Sequence, residues 1–311
     1  MEIFYKYSKF RSIKELMSCT VRLSPPHTLN DPFESFLNKD VSDELINYLN
    51  SIHSVGNQAS EDAMIQKACN MIRVSGGLLD YAVFSLSETP RNLLMWAHYA
   101  DEHKGICIGY KRGLFESLPN KPETRFGIES YTPIKVNYDN LRPQPIEEGS
   151  EDIDAIIKKQ NITQLTTKSD DWIYEKEHRC IIPMCWSDAV KIPEQYNIQD
   201  NTVPSTVLSL LKKEKRIIED NNEKNLYTCE HHEMRGLSII FGDKRNVIFL
   251  KKIDPKDIVS INFGCRFDIK TRDIIASQIS NPSHPLHHVK LIQFSISENR
   301  FELIPKKITH E

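Results

Sequence analysis

Apolar positions recur along this chain with two different periods, and the switches between them mark out its elements. Ile3 to Tyr7 reads as a short aromatic strand, and Thr20 to Leu23 as a second one that stops at Pro25-Pro26. Between them Ser12 is placed to cap a brief helix, with Ile13, Leu16 and Met17 at i, i+3 and i+4. Helical spacing then takes over in Leu45, Ile46, Leu49 and Ile52, and again in Met64, Ile65, Ala68 and Ile72. Gly56-Asn57-Gln58 links these two helices and Gly76-Gly77 stops the second. This stretch, near residues 40–80, reads as a helical insert or lid packed on one face only. Tyr81 to Ser87 returns to strand character and puts Ser85 and Ser87 on one face. Thr89-Pro90 predicts the start of a helix that carries Met95 to Asp101 and ends near Gly105; Ile106 to Tyr110 is the next strand.

Prolines at 119, 122, 133, 143 and 145 break up the following stretch, leaving Val136 to Tyr138 as an isolated strand. Ile153, Ile156 and Ile157 predict a helix leading into Lys168 to Ile182, read as a strand. Residues of about 194–235 form a polar insert with one helix around Val207 to Leu211. Order returns with strands at Val247 to Leu250 and Ile258 to Phe263, then a helix capped by Asp268. A hairpin of Val289 to Phe294 with Phe301 to Ile304 closes the chain. The expected fold class is α+β: one domain over 1–311 with a mixed, mostly antiparallel sheet.

Composition narrows the function classes. With 39% hydrophobic residues the chain can build a core, and a net charge of −3 argues against a generally basic nucleic-acid binder. No window approaches the ~20 apolar residues of a membrane span, and Met1-Glu2-Ile3-Phe4 lacks a basic, apolar leader. A cytoplasmic protein without a membrane partner is expected. The seven cysteines form no CxxC pair, and neither they nor the histidines near Cys229 suggest a metal site. Nucleotide-loop, zincin and nucleophile-elbow motifs are missing from the sequence.

The densest chemistry lies in Lys168 to Ile182. On a strand, Glu175, Glu177 and Arg179 share one side, the carboxylates about 7 Å apart from the rise per residue. Two such carboxylates repel unless a cation or ligand sits between them, which can raise one pKa toward a general base. Trp172 is expected to form a wall of the same cleft, its indole N–H satisfied by an oxygen. His98 and Asp101, three apart on one helical face, can pair so that the carboxylate orients the imidazole. Asn30-Asp31-Pro32-Phe33-Glu34 is a turn by composition. Asn30, Ser85, His98, Trp172, Glu175 and Glu177 are expected to converge on one cleft.

Several of these stretches resemble one bacterial and phage family, domain of unknown function 2971. They are Tyr5-Lys6-Tyr7, Leu29 to Glu34, Met95 to Asp101 with His103 and Gly105, and Lys168-Ser169 with Trp172, Glu175, Glu177 and Arg179. Ile261 to Arg266 resembles that family's C-terminal glycine segment. A second resemblance is to ADP-ribosyltransferases, including those that modify DNA bases. There an aromatic first strand, a short helix and a second strand open an NAD-binding cleft, a serine-bearing strand follows, and a late strand brings the catalytic glutamate. Ile3–Leu23, Ser85-Leu86-Ser87 and Glu175-Lys176-Glu177 occur in that order here, although Lys6 stands where Arg or His is common.

That resemblance implies an ADP-ribosyltransferase-like core and NAD as substrate, with Glu177 stabilising the ribosyl cation and Glu175 serving a protein or nucleic-acid acceptor. It also implies that Tyr5, Lys6, Tyr7, Asn30, Ser85, Ser87, Trp172 and Arg179 hold the cofactor. The expected function is an NAD-consuming transferase or glycohydrolase acting as a toxin or phage-defence effector. Two other classes stay open. One is a non-enzymatic sensor binding a nucleotide or phage component through His98, Trp172 and Arg179; the other is a magnesium nuclease using Asp31, Glu34, Glu175 and Glu177.

Overall fold

The computed structural model describes residues 2–52, 61–76, 78, 80–124, 127–145, 152–196 and 203–308. The strand Tyr81–Ser87 shows how its core is layered. Its sequence does not alternate between apolar and polar, because both of its faces are covered. Tyr81 and Val83 pack with Leu45, Leu49, Ile156 and Ile157 of the helical side. Ala82, Phe84 and Leu86 point the other way, into the largest core.

This strand belongs to an eight-stranded sheet. From edge to edge the strands are Leu303–Lys307, Lys290–Ile296, Ile258–Phe263, Ile106–Lys111, Ile3–Ser8, Tyr81–Ser87, Glu177–Pro183 and Ser130–Lys135. All neighbours run antiparallel except Ile258–Phe263 with Lys290–Ile296, which are parallel across the helix Ile269–Ser280. The mixed, mostly antiparallel α+β fold is therefore present. A second sheet of five strands has Thr20–Leu23 on its edge, and a Ser24–Val83 bridge joins it to the first.

One seam of the large sheet is open. Ile3–Ser8 pairs along its whole length with Ile106–Lys111, but meets Tyr81–Ser87 only where Tyr5 faces Ser87. Beyond that point the ladder is replaced by a side chain: Lys6 Nζ donates to the Ser85 carbonyl at 2.9 Å. A cavity lies at this seam.

Several expectations hold closely. Ser12 Oγ accepts from Glu15 N at 3.1 Å at the start of helix Ile13–Met17, and Asp268 caps Ile269–Ser280 through Thr271 N at 2.8 Å. Others change. The helix expected from Pro90 begins after Asn92, whose side chain caps Leu94 and Met95 and releases the Pro90 carbonyl to accept from Trp96 Nε1 at 2.8 Å. Val136 to Tyr138 is not isolated, since Asn137–Tyr138 pairs in parallel with Thr167–Lys168. The polar stretch near 194–235 adds strands Ile218–Glu219 and Leu226–Thr228 to the five-stranded sheet, with Tyr227 fully buried.

Helix Glu61–Gly76 is turned the opposite way from its apolar stripe. Ala63, Asn70 and Val74 are buried, while Met64, Ile65 and Ile72 are exposed. On the buried side Asn70 Nδ2 donates across the helix pair to Asn50 Oδ1 at 2.9 Å, and within the helix Gln66 Nε2 donates to Asn70 Oδ1 at 3.1 Å. The Gly56-Asn57-Gln58 linker and Gly77 lie outside the described residues.

After helix Leu93–Tyr99 three consecutive residues, Asp101, Glu102 and His103, take positive φ angles of 48°, 53° and 71°. This left-handed turn is pinned by the C-terminal half of the sheet: Arg266 N donates to the His103 carbonyl at 3.0 Å. Gly264 makes that approach possible, because a Cβ there would stand 2.1 Å from the same carbonyl oxygen. Gly264→Ala should therefore destabilise the fold by about 1–3 kcal/mol. Urea denaturation checks this, and an unchanged midpoint would show that the turn does not depend on the close contact.

Candidate functional site

The site is built where the helical cover of the sheet ends. Ser85 faces Arg179 across the strand pair and Ser87 faces Glu177. These four side chains continue the face that Val83 and Ile181 bury farther along. Polar groups in that position need partners, and they have them. The Arg179 guanidinium grips Glu177 with two bonds, Nε to Oε1 at 2.9 Å and Nη2 to Oε2 at 2.8 Å. Its Nη1 donates to the Leu165 carbonyl at 2.8 Å, at the end of helix Ile153–Leu165, and Nη2 also reaches Glu34.

Glu34 arrives from the turn after Leu29. Asp31 Oδ1 accepts from Phe33 N at 2.9 Å and bends the chain so that Glu34 points inward. Lys168 completes the cluster, its Nζ at 2.7 Å from Glu175, 3.4 Å from Glu177 and 3.9 Å from Glu34. Tyr99 donates to Glu175 from the Leu93–Tyr99 helix, and Ser87 Oγ donates to the Glu175 carbonyl at 2.7 Å. The Tyr138 hydroxyl accepts from Glu177 N at 2.8 Å.

Glu175 and Glu177 are not two positions of one strand. Glu175 ends a 3₁₀ turn, Asp170–Glu175, and Lys176 in the left-handed region (φ 47°, ψ 51°) reverses the chain before strand Glu177–Pro183. The carboxylates still meet, because Lys168 stands between them.

Burial and ion pairing together set their proton affinities. Glu34, Glu175 and Glu177 are ion-paired with Lys168 and Arg179, and Lys6 also interacts with Glu177 and Glu175. Burial alone would raise Glu177, but Arg179 and Lys168 overcome it and hold its carboxyl well below the usual range. At Glu175 and Glu34 burial wins over the same cations, and both are pushed up. Glu177 is thus the fixed anion, and Glu175 and Glu34 are where the cluster can hold a proton. Among the described residues no group of three His, Cys, Asp or Glu is arranged to hold a metal ion. The carboxylates of the magnesium reading are turned to Lys168 and Arg179, and that of Asp31 to a backbone N–H.

Beside the cluster lies a cavity of about 370 Å³ at the open seam, a size usual for a small-molecule site. Glu34, Glu175, Glu177, Lys168 and Arg179 line it. So do Tyr5, Ser85, Ser87 and Tyr99, with Asn30 hydrogen-bonded to Tyr99. Tyr7 also reaches the cavity, but its hydroxyl is committed, donating to the Thr89 carbonyl at 2.7 Å and accepting from Asn92 N at 3.2 Å. Lys6, which interacts with Glu177, and Arg22 are further cations of the lining.

Two expected members stand apart. His98 is exposed, does not line the cavity and lies 6.1 Å from the Tyr174 ring. Its expected partner Asp101 has left the helix at positive φ and faces Lys9 at 3.6 Å. Trp172 is half-buried outside the cavity, and its ring covers Lys168 Nζ at 4.5 Å. It desolvates the lysine rather than walling the cleft. The reading of single residues passed over Lys168, Tyr99 and Arg22 as site members. Lys168 stands seven and nine positions from the glutamates it binds, a separation that neither strand nor helix periodicity marks.

Two measurements probe this arrangement. Arg179→Met leaves Glu177 and Glu34 buried against a single cation and should cost about 3–5 kcal/mol of stability; wild-type stability in urea would mean that the cluster does not hold the fold. Lys6 tests the electrostatics of the seam. Burial pulls its ammonium from 10.5 down to about 8 against the pull of Glu177. A lysine depressed in the folded state destabilises the fold while charged, fully below about 8, and the penalty fades toward 10.5. Wild-type stability relative to Lys6→Met should therefore rise across that window, and a flat difference in urea midpoints would contradict the shift.

No curated protein and no solved structure matches the chain. A family match covers residues 95–180, from the helix that carries Tyr99 to the strand that carries Glu177 and Arg179. It therefore includes most of the ion cluster, whereas Glu34 and the Gly264 segment lie outside it. The matching family is the one described as Protein of unknown function (DUF2971), and the match covers residues 95–180 of this chain.

Proposed function

We propose that the cavity binds NAD and that the chain breaks its nicotinamide–ribose bond, as an ADP-ribosyltransferase or an NAD glycohydrolase. The observation that carries this reading is the mixed lining of the cavity. Three carboxylates, the cations Lys6 and Arg22, and the rings of Tyr5 and Tyr99 all line one space. A nicotinamide dinucleotide has matching parts: a ribose that turns cationic as the bond breaks, an aromatic base and a diphosphate.

Chemistry divides the two glutamates. When the C1′–N bond breaks, nicotinamide leaves with the electron pair and positive charge develops on the ribose. Glu177, held ionised by Arg179 and Lys168, supplies a fixed negative field for that charge. Glu175, with its raised proton affinity, suits a general base that takes the proton of an attacking protein or nucleic-acid acceptor, whereas attacking water can lose its proton to solvent. Attack by water gives hydrolysis, and attack by a protein or nucleic-acid group gives transfer. Either reaction suits a toxin or phage-defence effector, because each depletes NAD or alters an essential acceptor.

A second reading is a non-enzymatic nucleotide sensor. The closure of the network favours it, since Arg179 and Lys168 already engage both oxygens of Glu177. Turnover separates the two. Purified protein incubated with NAD should release nicotinamide, and Glu177→Gln should lower that rate by ~10²-fold or more if the fixed charge stabilises the ribosyl cation. Glu175→Gln should reduce acceptor transfer more than hydrolysis. NAD binding with no nicotinamide release by wild type would leave the sensor reading in its place.

A further inference from the structure

The cavity lining contains a charge that no carboxylate pairs with among the described residues. Arg22, on the strand Thr20–Leu23, lines the cavity. Its Nη2 makes one long bond, 3.4 Å to the Arg245 carbonyl, and its Nε is buried with no hydrogen-bond partner. Among the described residues no carboxylate pairs with it. Its charged neighbours are cations instead: Arg11 and Lys6 each interact repulsively with it. Arg11 is partly neutralised by Glu15 at 3.6 Å, and Lys6 Nζ is tied to the Ser85 carbonyl. Arg22 thus differs from Arg179, whose whole fork is satisfied by protein.

A buried guanidinium edge without an acceptor carries a desolvation cost, and two further cations beside it add repulsion. An anion with several oxygens removes both costs at once, and the planar Arg fork matches a phosphate in two bonds. We infer that Arg22, flanked by Lys6 and Arg11, is the seat of a diphosphate, so that the ligand is a nucleoside-diphosphate compound rather than a nucleoside or a free base. This rests on the reading of the cavity as a nucleotide site and adds the part of the ligand that gives it affinity. Lys6 interacts with both Arg22 and Glu177, so the arginine and the ion cluster are linked through it. The diphosphate seated on Arg22 directs the attached ribose toward Glu175 and Glu177.

Calorimetric titration of the full chain tests this with four probes: NAD, ADP-ribose, adenosine and nicotinamide. Wild type should bind ADP-ribose at least 100-fold more tightly than adenosine, with an affinity that falls as salt is raised. Arg22→Met should weaken ADP-ribose at least tenfold and leave adenosine within twofold, while Arg22→Lys recovers part of the loss. Equal wild-type affinities for ADP-ribose and adenosine would overturn the assignment without any variant. So would an Arg22→Met protein that melts like wild type and binds ADP-ribose as tightly. In both cases NAD binding would persist and the nucleotide reading would stand. If wild type binds neither NAD nor ADP-ribose, that reading fails and takes the diphosphate seat with it.

Discussion

The two-pronged grip of Arg179 on Glu177 is the interaction on which the rest of this structure depends. The pair is buried, and removing two charges from water costs more than their attraction returns unless every remaining polar group is satisfied. Here the surplus donors of Arg179 go to Glu34 and to the Leu165 carbonyl, and Lys168 reaches all three carboxylates. The turn after Leu29, the end of a helix, a 3₁₀ segment and a sheet strand are thereby fastened to one ion cluster. None of these segments has a complete set of partners without the others. This is why so polar a group of side chains can sit on a sheet face that is otherwise packed with Val83 and Ile181.

A cavity exists beside the cluster because the sheet does not close. Strand Ile3–Ser8 follows Ile106–Lys111 and parts from Tyr81–Ser87 after a single paired position. A full ladder would have filled this space with backbone bonds. Lys6 bridges the gap with its ammonium, a softer link that leaves room for the tyrosines, serines and Arg22 around it. The edge of the five-stranded sheet brings Arg22 to the seam from the other side. The site is therefore shared between two sheets: Lys6, Glu177 and Arg179 come from the large one and Arg22 from the five-stranded one.

The site separates fixed from available groups. Arg179 and Glu177 are committed to each other, which makes them a permanent field and poor proton carriers. Burial raises the proton affinity of Glu175 and Glu34. Arg22 keeps unspent donor capacity. The family match spans Tyr99, Lys168, Glu175, Glu177 and Arg179 but not Arg22 or Glu34, so the contiguous matched segment holds only part of the constellation.

The sequence by itself determined the local elements whose cause is local. Ser12 and Asp268 cap their helices because a short oxygen side chain at that position meets a free N–H. The strands Thr20–Leu23 and Ile258–Phe263 follow from their β-branched and apolar runs and the turns that end them. Glu177 with Arg179 was legible too, since two residues apart on a strand means one face. What tertiary structure alone decided are features set by neighbours distant in sequence. Lys168 lies between two glutamates through a left-handed turn at Lys176, which no periodicity announces. Helix Glu61–Gly76 shows its apolar stripe to solvent and turns Asn70 to the buried side, where Asn50 accepts its hydrogen bond. His98 and Asp101 part company because the helix ends at Tyr99 and the chain turns left-handed against Gly264. Arg22 looks like an ordinary surface strand residue until the open seam buries one edge of its guanidinium without a partner. In each case the local pattern was right about what a residue prefers, and packing between distant segments decided whether it had it.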